Sequence, residues 1–252
     1  VFRQDEIADQ IYDMWIETEL AQGARPGQFV CVYTKNAAAL LPRPISICEV
    51  NEEKTMLRLV YRTVGTGTNE FADYHAGTEI SLLGPLGNGF PVEKAAGKRV
   101  FLIGGGIGIP PMLQLSKEIK KAGQAYCELS VLGYRNELFL NTDLEKYSQV
   151  YVATEDGSAG TKGTVLDAIK EKGLSGDVIF ACGPMPMLRA IKEYAAANNM
   201  EAYISLEEHM ACGVGACLGC VCKTKNVDAH SHVHNSRICT DGPVYNAEEV
   251  EI

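Results

Sequence analysis

At 252 residues with 46% hydrophobic side chains, the chain is long enough for two small domains and an appendage, and too apolar for disorder. Its net charge of −9 gives no general attraction for nucleic acid or an anionic membrane face. No apolar run of about 18 residues predicts a transmembrane helix, and residues 1–10 are too polar and acidic for a secretory signal, so a cytoplasmic protein without a membrane partner is expected.

Residues 1–93 carry short alternating or β-branched runs at 28–33, 45–50, 56–62 and 79–83, punctuated by Pro26-Gly27 and Gly84-Pro85-Leu86-Gly87. Such runs predict a small antiparallel β-barrel. Within it lies Arg43-Pro44-Ile45-Ser46, in which an arginine fork suits a pyrophosphate and a hydroxyl suits a flavin ring. Val60-Tyr61-Arg62 ends a later strand. Gly65-Thr66-Gly67-Thr68 follows, with backbone and hydroxyl donors suited to phosphate. Gly84 to Pro91 closes the segment. Each piece alone means little, and the information lies in their order.

Residues 94–203 alternate strand and helix patterns. The run 99–103 reads as a buried parallel strand, and Pro110-Pro111 suit the first turn of a helix reaching 122. Further strands are predicted at 128–132, 150–153 and 178–182, and further helices at 164–172 and 185–198. The pattern is that of an α/β parallel-sheet nucleotide-binding domain. Between the first strand and helix stands Gly104-Gly105-Gly106-Ile107-Gly108-Ile109, where a dinucleotide pyrophosphate would meet free N–H groups. Ile109 occupies the last glycine position of the G-x-G-x-x-G fingerprint, so the strand before and the helix after carry the assignment. A second turn, Cys182-Gly183-Pro184, also follows a strand and faces the same crevice. Cys182 is expected near the nicotinamide ring, and with no base beside it is not read as a nucleophile.

Residues 204–252 form a small module too short for a large core, of the kind that needs a metal or another staple. Of the nine cysteines, Cys31, Cys48, Cys127 and Cys182 are scattered in apolar stretches and read as core thiols. Cys212, Cys217, Cys220, Cys222 and Cys239 fall within 28 residues. The first three have the C-x4-C-x2-C spacing of plant-type [2Fe–2S] ligands, and Cys239 is the natural fourth. The intervening Gly213, Gly215, Ala216 and Gly219 let backbone N–H groups approach sulfur. A structural zinc site is the competing reading, although zinc favours paired C-x2–4-C knuckles in two halves. Cys222 is a rival ligand whose spacing fits less well. His209 is expected to pack, and His230, His232 and His234 to sit in a solvated loop.

Arg-x-x-Ser, Gly-Pro-Leu-Gly, Gly-Gly-Ile-Gly-x-Pro-Pro and Cys-Gly-Pro, in that order, resemble the ferredoxin reductase superfamily. The run 210–220 with Cys239-Thr240-Asp241-Gly242-Pro243 is similar to the electron-transfer subunits of dihydroorotate dehydrogenase B. The resemblance covers nearly the whole chain. It implies FAD in a barrel at 1–93, NAD in an α/β domain at 94–203 and a [2Fe–2S] cluster in a module at 204–252. It also implies an FMN-containing catalytic partner that oxidises dihydroorotate to orotate, in a heterotetramer, with electrons passing through the cluster and FAD to NAD⁺ in pyrimidine biosynthesis. By matching motifs, Arg43 to Ser46, Val60 to Arg62, Gly67 and Thr68 would contact FAD, and Cys212, Cys217, Cys220 and Cys239 would hold iron. Ile45 replaces the tyrosine frequent at that position in the superfamily, so an aromatic stack on the flavin is absent there. Basic residues hold the 2′-phosphate in NADP-using relatives, and Glu155-Asp156 stand near that place, which predicts a preference for NAD(H). The rival readings are a reductase subunit of another NAD(P)H-linked complex and a zinc-stapled docking protein.

Overall fold

The computed structural model describes residues 1–228 and 232–252, so His230 lies outside the described residues. Strands β1 (Arg3–Ala8), β2 (Ile11–Glu17), β3 (Phe29–Tyr33), β4 (Arg43–Val50), β5 (Met56–Arg62) and β6 (Ser81–Leu86) form an antiparallel sheet of order β1-β2-β5-β4-β3-β6. β1 and β2 were not predicted. The Arg-Gln-Asp-Glu start of β1 has no apolar face of its own and is held by pairing, Arg3 opposite Trp15. The short helix α1 (Thr66–Ala72) begins within the Gly65-Thr66-Gly67-Thr68 stretch.

The second sheet is built from β7 (Arg99–Gly105), β8 (Cys127–Tyr134), β9 (Gln149–Thr154), β10 (Thr161–Lys162), β11 (Val178–Cys182) and β12 (Glu201–Ser205). These six strands are parallel, in the order β10-β9-β8-β7-β11-β12. Val100, Phe101, Leu102 and Ile103 of β7 are fully buried, as a strand covered on both faces requires. Helices α2 (Pro110–Ala122), α3 (Asn141–Leu144), α4 (Val165–Glu171) and α5 (Met185–Ala197) connect the strands. Prolines open α2 and left-handed Gly123 ends it, both by their backbone preferences. α2 also touches the first sheet, where Gln114 Oε1 accepts from Val50 N–H at 2.7 Å and Lys117 Nζ donates to Val50 O at 2.9 Å.

The C-terminal residues add a hairpin of β13 (Val221–Lys223) and β14 (Asn235–Arg237). The last strand, β15 (Val244–Asn246), joins the parallel sheet antiparallel to β12, Ser205 opposite Val244. One apolar cluster runs from Phe29 and Cys31 through Ile204, Leu206 and Met210 to Cys220, Cys239 and Tyr245. The cysteine-bearing segment therefore shares a core with both sheets. No helix among the described residues is long and apolar enough to cross a membrane.

Candidate cofactor sites

A cavity of about 580 Å³ opens between the two sheets. β4 contributes Arg43, Pro44, Ile45 and Ser46, and β5 contributes Val60, Tyr61 and Arg62. Thr68 of α1 also lines it. Gly67 lies beneath Arg43, where a Cβ would fall 2.5 Å from the Arg43 Nε. The Leu41 carbonyl accepts from Arg43 Nη1, so the guanidinium is held from both sides at the cavity edge. The Thr68 hydroxyl is committed locally: it accepts from Val64 N–H at 2.9 Å and Gly65 N–H at 3.3 Å, closing the first turn of α1.

The far wall is a segment that the motifs did not reveal. Ser205 ends β12, Leu206, Glu207, Glu208, His209 and Met210 follow it, and Phe29, Val64, Ile107 and Pro243 complete the lining. His209, expected to pack, is exposed to the cavity instead. Glu207 is open to the cavity, and desolvation by the surrounding walls raises its carboxyl pKa. The available signal was positional: 205–210 leaves a strand at the C-terminal edge of a parallel sheet, where ligands bind.

The glycine turn after β7 meets this cavity through Ile107. Gly104 of β7 pairs with Cys182 of β11, which pairs with Ser205 of β12, so three strand ends lie side by side. Their turns are in direct contact. A Cβ on Gly108 would collide with the Cys182 carbonyl, and one on Gly183 would meet Gly105 Cα at 3.1 Å and the Met187 methyl closer still. Gly104 is pressed against Ile109, whose side chain would be 2.8 Å from a Cβ. Gly106, at φ +52°, needs no space but adopts the left-handed conformation. Cys182 is buried, and desolvation followed by the Glu207 charge drives its thiol pKa up, so it is a neutral group at the crevice floor.

The cysteine loop folds around its own sulfurs. Cys212 Sγ accepts from the N–H groups of Val214 at 3.4 Å, Ala216 at 3.3 Å and Cys217 at 3.4 Å. Cys217 Sγ accepts from Gly219 at 3.4 Å, and Cys239 Sγ from Gly215 at 3.2 Å. Left-handed Gly213 (φ +70°) and Gly215 (φ +79°) make this wrapping possible. Burial pushes the Cys212 thiol up, but the donors of Val214, Cys217 and Ala216 outweigh it and bring it to about 6. Burial, then the Cys220 thiol, push Cys239 up to about 12.

Among the described residues no three His, Cys, Asp or Glu side chains close on one point. Three cysteines within nine residues and a fourth 19 positions on suit a two-iron cluster better than the paired knuckles of a zinc site. Cys222 is turned elsewhere: half-buried on β13, it meets the Tyr245 hydroxyl. Met210, two residues before Cys212, lines the flavin-sized cavity, so the cradle and the cavity are neighbours.

Comparison with known proteins agrees with this geometry. Residues 207–251 match the iron-sulfur cluster binding domain of dihydroorotate dehydrogenase B, and residues 102–193 match the oxidoreductase NAD-binding domain. A dihydroorotate dehydrogenase B (NAD(+)) electron transfer subunit from Geobacillus sp. is 42% identical over 99% of this chain and 96% of its own length. The protein of the same description from Bacillus velezensis is 44% identical over 98% and 95%. Among solved structures, an NADH-dependent reduced ferredoxin-NADP oxidoreductase studied for flavin-based electron bifurcation aligns with TM-score 0.88 and 29% identity, covering 100% of this chain and 88% of that one. A ferredoxin NADP+ reductase from Neisseria gonorrhoeae, solved with FAD and NADP, shares the fold at TM-score 0.64 and 16% identity, over 79% of this chain and 89% of that one.

Proposed function

Because the chain belongs to the family of dihydroorotate dehydrogenase B electron transfer subunits, we propose that it carries electrons from a catalytic subunit oxidising dihydroorotate to orotate, through [2Fe–2S] and FAD, to NAD⁺. It is an NAD-linked oxidoreductase subunit of pyrimidine biosynthesis, and its cofactors are FAD, [2Fe–2S] and NAD. The observation that carries the reading is the adjacency of three sites: a cysteine loop wrapped by backbone N–H donors, a cavity reached through Met210, and a glycine turn reaching the same cavity through Ile107. A cluster takes one electron and a nicotinamide takes two as hydride, and a flavin supplies the conversion between them.

The chain's own residues have separate tasks in this reading. Arg43, Pro44, Ile45, Ser46, Val60, Tyr61, Arg62, Gly67 and Thr68 form the FAD site, with Arg43 countering pyrophosphate charge. Gly104, Gly105, Gly106, Gly108, Cys182 and Gly183 admit the nicotinamide nucleotide, their missing or small side chains letting it approach the sheet edge. Cys212, Cys217, Cys220 and Cys239 hold iron, and their N–H donors stabilise added negative charge. Domain limits of 1–93, 94–203 and 204–252 suit these tasks. Substrate chemistry falls to an FMN-containing partner in a cytoplasmic heterotetramer.

Anaerobic co-purification with the catalytic subunit tests the proposal. One FAD, one FMN, two irons and two sulfides per pair of chains are expected, together with dihydroorotate-driven reduction of NAD⁺. A colourless preparation with stoichiometric zinc and no flavin would end it. So would a partner carrying further clusters and unable to oxidise dihydroorotate.

A further inference from the structure

The turn Gly84-Pro85-Leu86-Gly87-Asn88-Gly89 groups with the flavin motifs in the sequence, yet none of its residues lines the flavin cavity. Its contacts are with the loop that follows Cys239. The Asn88 N–H donates to the Gly242 carbonyl at 2.5 Å. Its side-chain amide donates to the carbonyls of Asp241 at 2.9 Å and Thr240 at 3.3 Å. Gly87, at φ +74°, lies so close to the same loop that a Cβ would fall 2.6 Å from Pro243 Cδ and 2.7 Å from the Gly242 oxygen. From behind, Gln28 Nε2 donates to the Gly87 carbonyl at 2.7 Å.

The other end of the cradle rests on the same edge of the antiparallel sheet. A Cβ on Gly213, beside Cys212, would meet Cys31 Sγ at 3.0 Å and Leu86 Cδ1 at 3.2 Å. Cys31 belongs to β3 and Leu86 to β6, and both are fixed in the sheet. The same strands define the flavin cavity, since Phe29 of β3 lines it. Pro243, held by Gly87 and Asn88, lines it as well.

We propose that residues 87–88 are the seat that sets the iron–sulfur cradle against the flavin, and that Asn88 is a positioning residue for electron exchange between the two. The inference rests on the functional reading above and extends it. Asn88 touches no cysteine and no residue of the cavity except through the 240–243 loop. It is exposed, so its loss leaves the cores intact. Its three bonds fix the segment between the fourth cysteine and β15, and a displacement there lengthens the gap to the flavin, over which electron transfer falls steeply.

The test uses the complex with its catalytic subunit, anaerobic mixing with NADH, and two readouts. In Asn88→Ala, flavin and iron contents should match wild type, and the early loss of flavin absorbance should stay within about twofold of it. The electron paramagnetic resonance signal of the reduced cluster, trapped by freeze-quenching, should rise several-fold more slowly, with altered g-values. Asn88→Asp keeps the shape but cannot donate, so it should behave like Asn88→Ala. Wild-type rate and signal in both variants would overturn the proposal, as would equal slowing of both steps, which would mark Asn88 as generally structural. Gly87→Ala, which crowds Phe29 and Pro243 too, should slow both steps and weaken FAD binding. Absence of flavin or iron from the wild-type complex would sink the functional reading, a result distinct from any of these.

Discussion

The Arg58 Nη2 stands 3.1 Å from Asp143 Oδ2, and this bond joins the antiparallel sheet to the nucleotide domain. The same guanidinium grips both oxygens of Asp13, at 2.9 and 2.8 Å, and Glu49 at 3.1 Å. Lys117 of α2 reaches Glu49 at 3.3 Å, so the network spans both domains and helps fix the cavity between them.

Removing Arg58 leaves the buried Asp13 carboxylate without its partner, while Glu49 keeps Lys117 and Asp143 keeps Lys146. Arg58→Met should therefore cost about 3–5 kcal/mol, and Asp143→Asn only about 1 kcal/mol because Asp143 is more open. For a chain this long that is a fall in Tm of roughly 10 °C for Arg58→Met. Thermal melts should also show an acid limit. Burial pushes the Asp143 carboxyl up, but Lys146 and Arg58 hold it below its ordinary range. Its contribution is present above about pH 4 and is lost as pH falls through the lowered folded value. An Arg58→Met shift under about 2 °C would contradict the argument.

Glu128 should act with the opposite sign. Burial lifts its carboxyl to about 7, against the opposing pull of a Ser116 hydroxyl at 3.1 Å and of Lys120. The folded chain keeps a proton that the unfolded chain releases near pH 4, so stability falls as pH rises from about 4 to 7. Glu128→Gln should raise Tm at pH 8 by the equivalent of about 1 kcal/mol, allowing for solvent screening, and flatten that pH dependence. Identical pH profiles for variant and wild type would refute it.

Serine substitution separates the two cysteines at the end of the cluster motif. Cys239→Ser should lose the cluster's visible absorbance and iron, because its sulfur pairs with Cys220 and receives the Gly215 N–H. Cys222→Ser should keep both, its thiol being turned toward Tyr245. The reverse outcome would reassign the fourth ligand.

Nucleotide choice should follow charge at the end of β9. Glu155 and Asp156 are exposed there, and the Ser158 hydroxyl and N–H hold the Asp156 carboxyl below its ordinary range. Their negative charge opposes a 2′-phosphate by about 1 kcal/mol or more. Glu155→Lys should narrow the ratio of kcat/KM for NADH over NADPH by roughly tenfold. Equal values for the two nucleotides in the wild type would defeat the assignment.

Much of the architecture was legible because its signals are local. Pro110 and Pro111 can only open a helix, and the apolar run of 99–103 can only be a covered strand in this context. β1 was invisible because Arg3 to Glu6 gain their order from β2, not from their own pattern. The stretch 205–210 carries no motif, and it became a cavity wall only because β12 ends beside Gly104 and Cys182.

The cysteine spacing and the glycines between determined by themselves that sulfur would be wrapped by backbone N–H groups, since five residues of chain leave few other courses. Only the tertiary structure decided where that cradle sits. Asn88 and Thr240 are 152 positions apart, and Cys31 and Gly213 further still, yet these contacts seat the loop beside the flavin cavity. Short-range chemistry selects a ligand set. The distance between two such sets depends on which strands become neighbours, and that follows from burying one shared core.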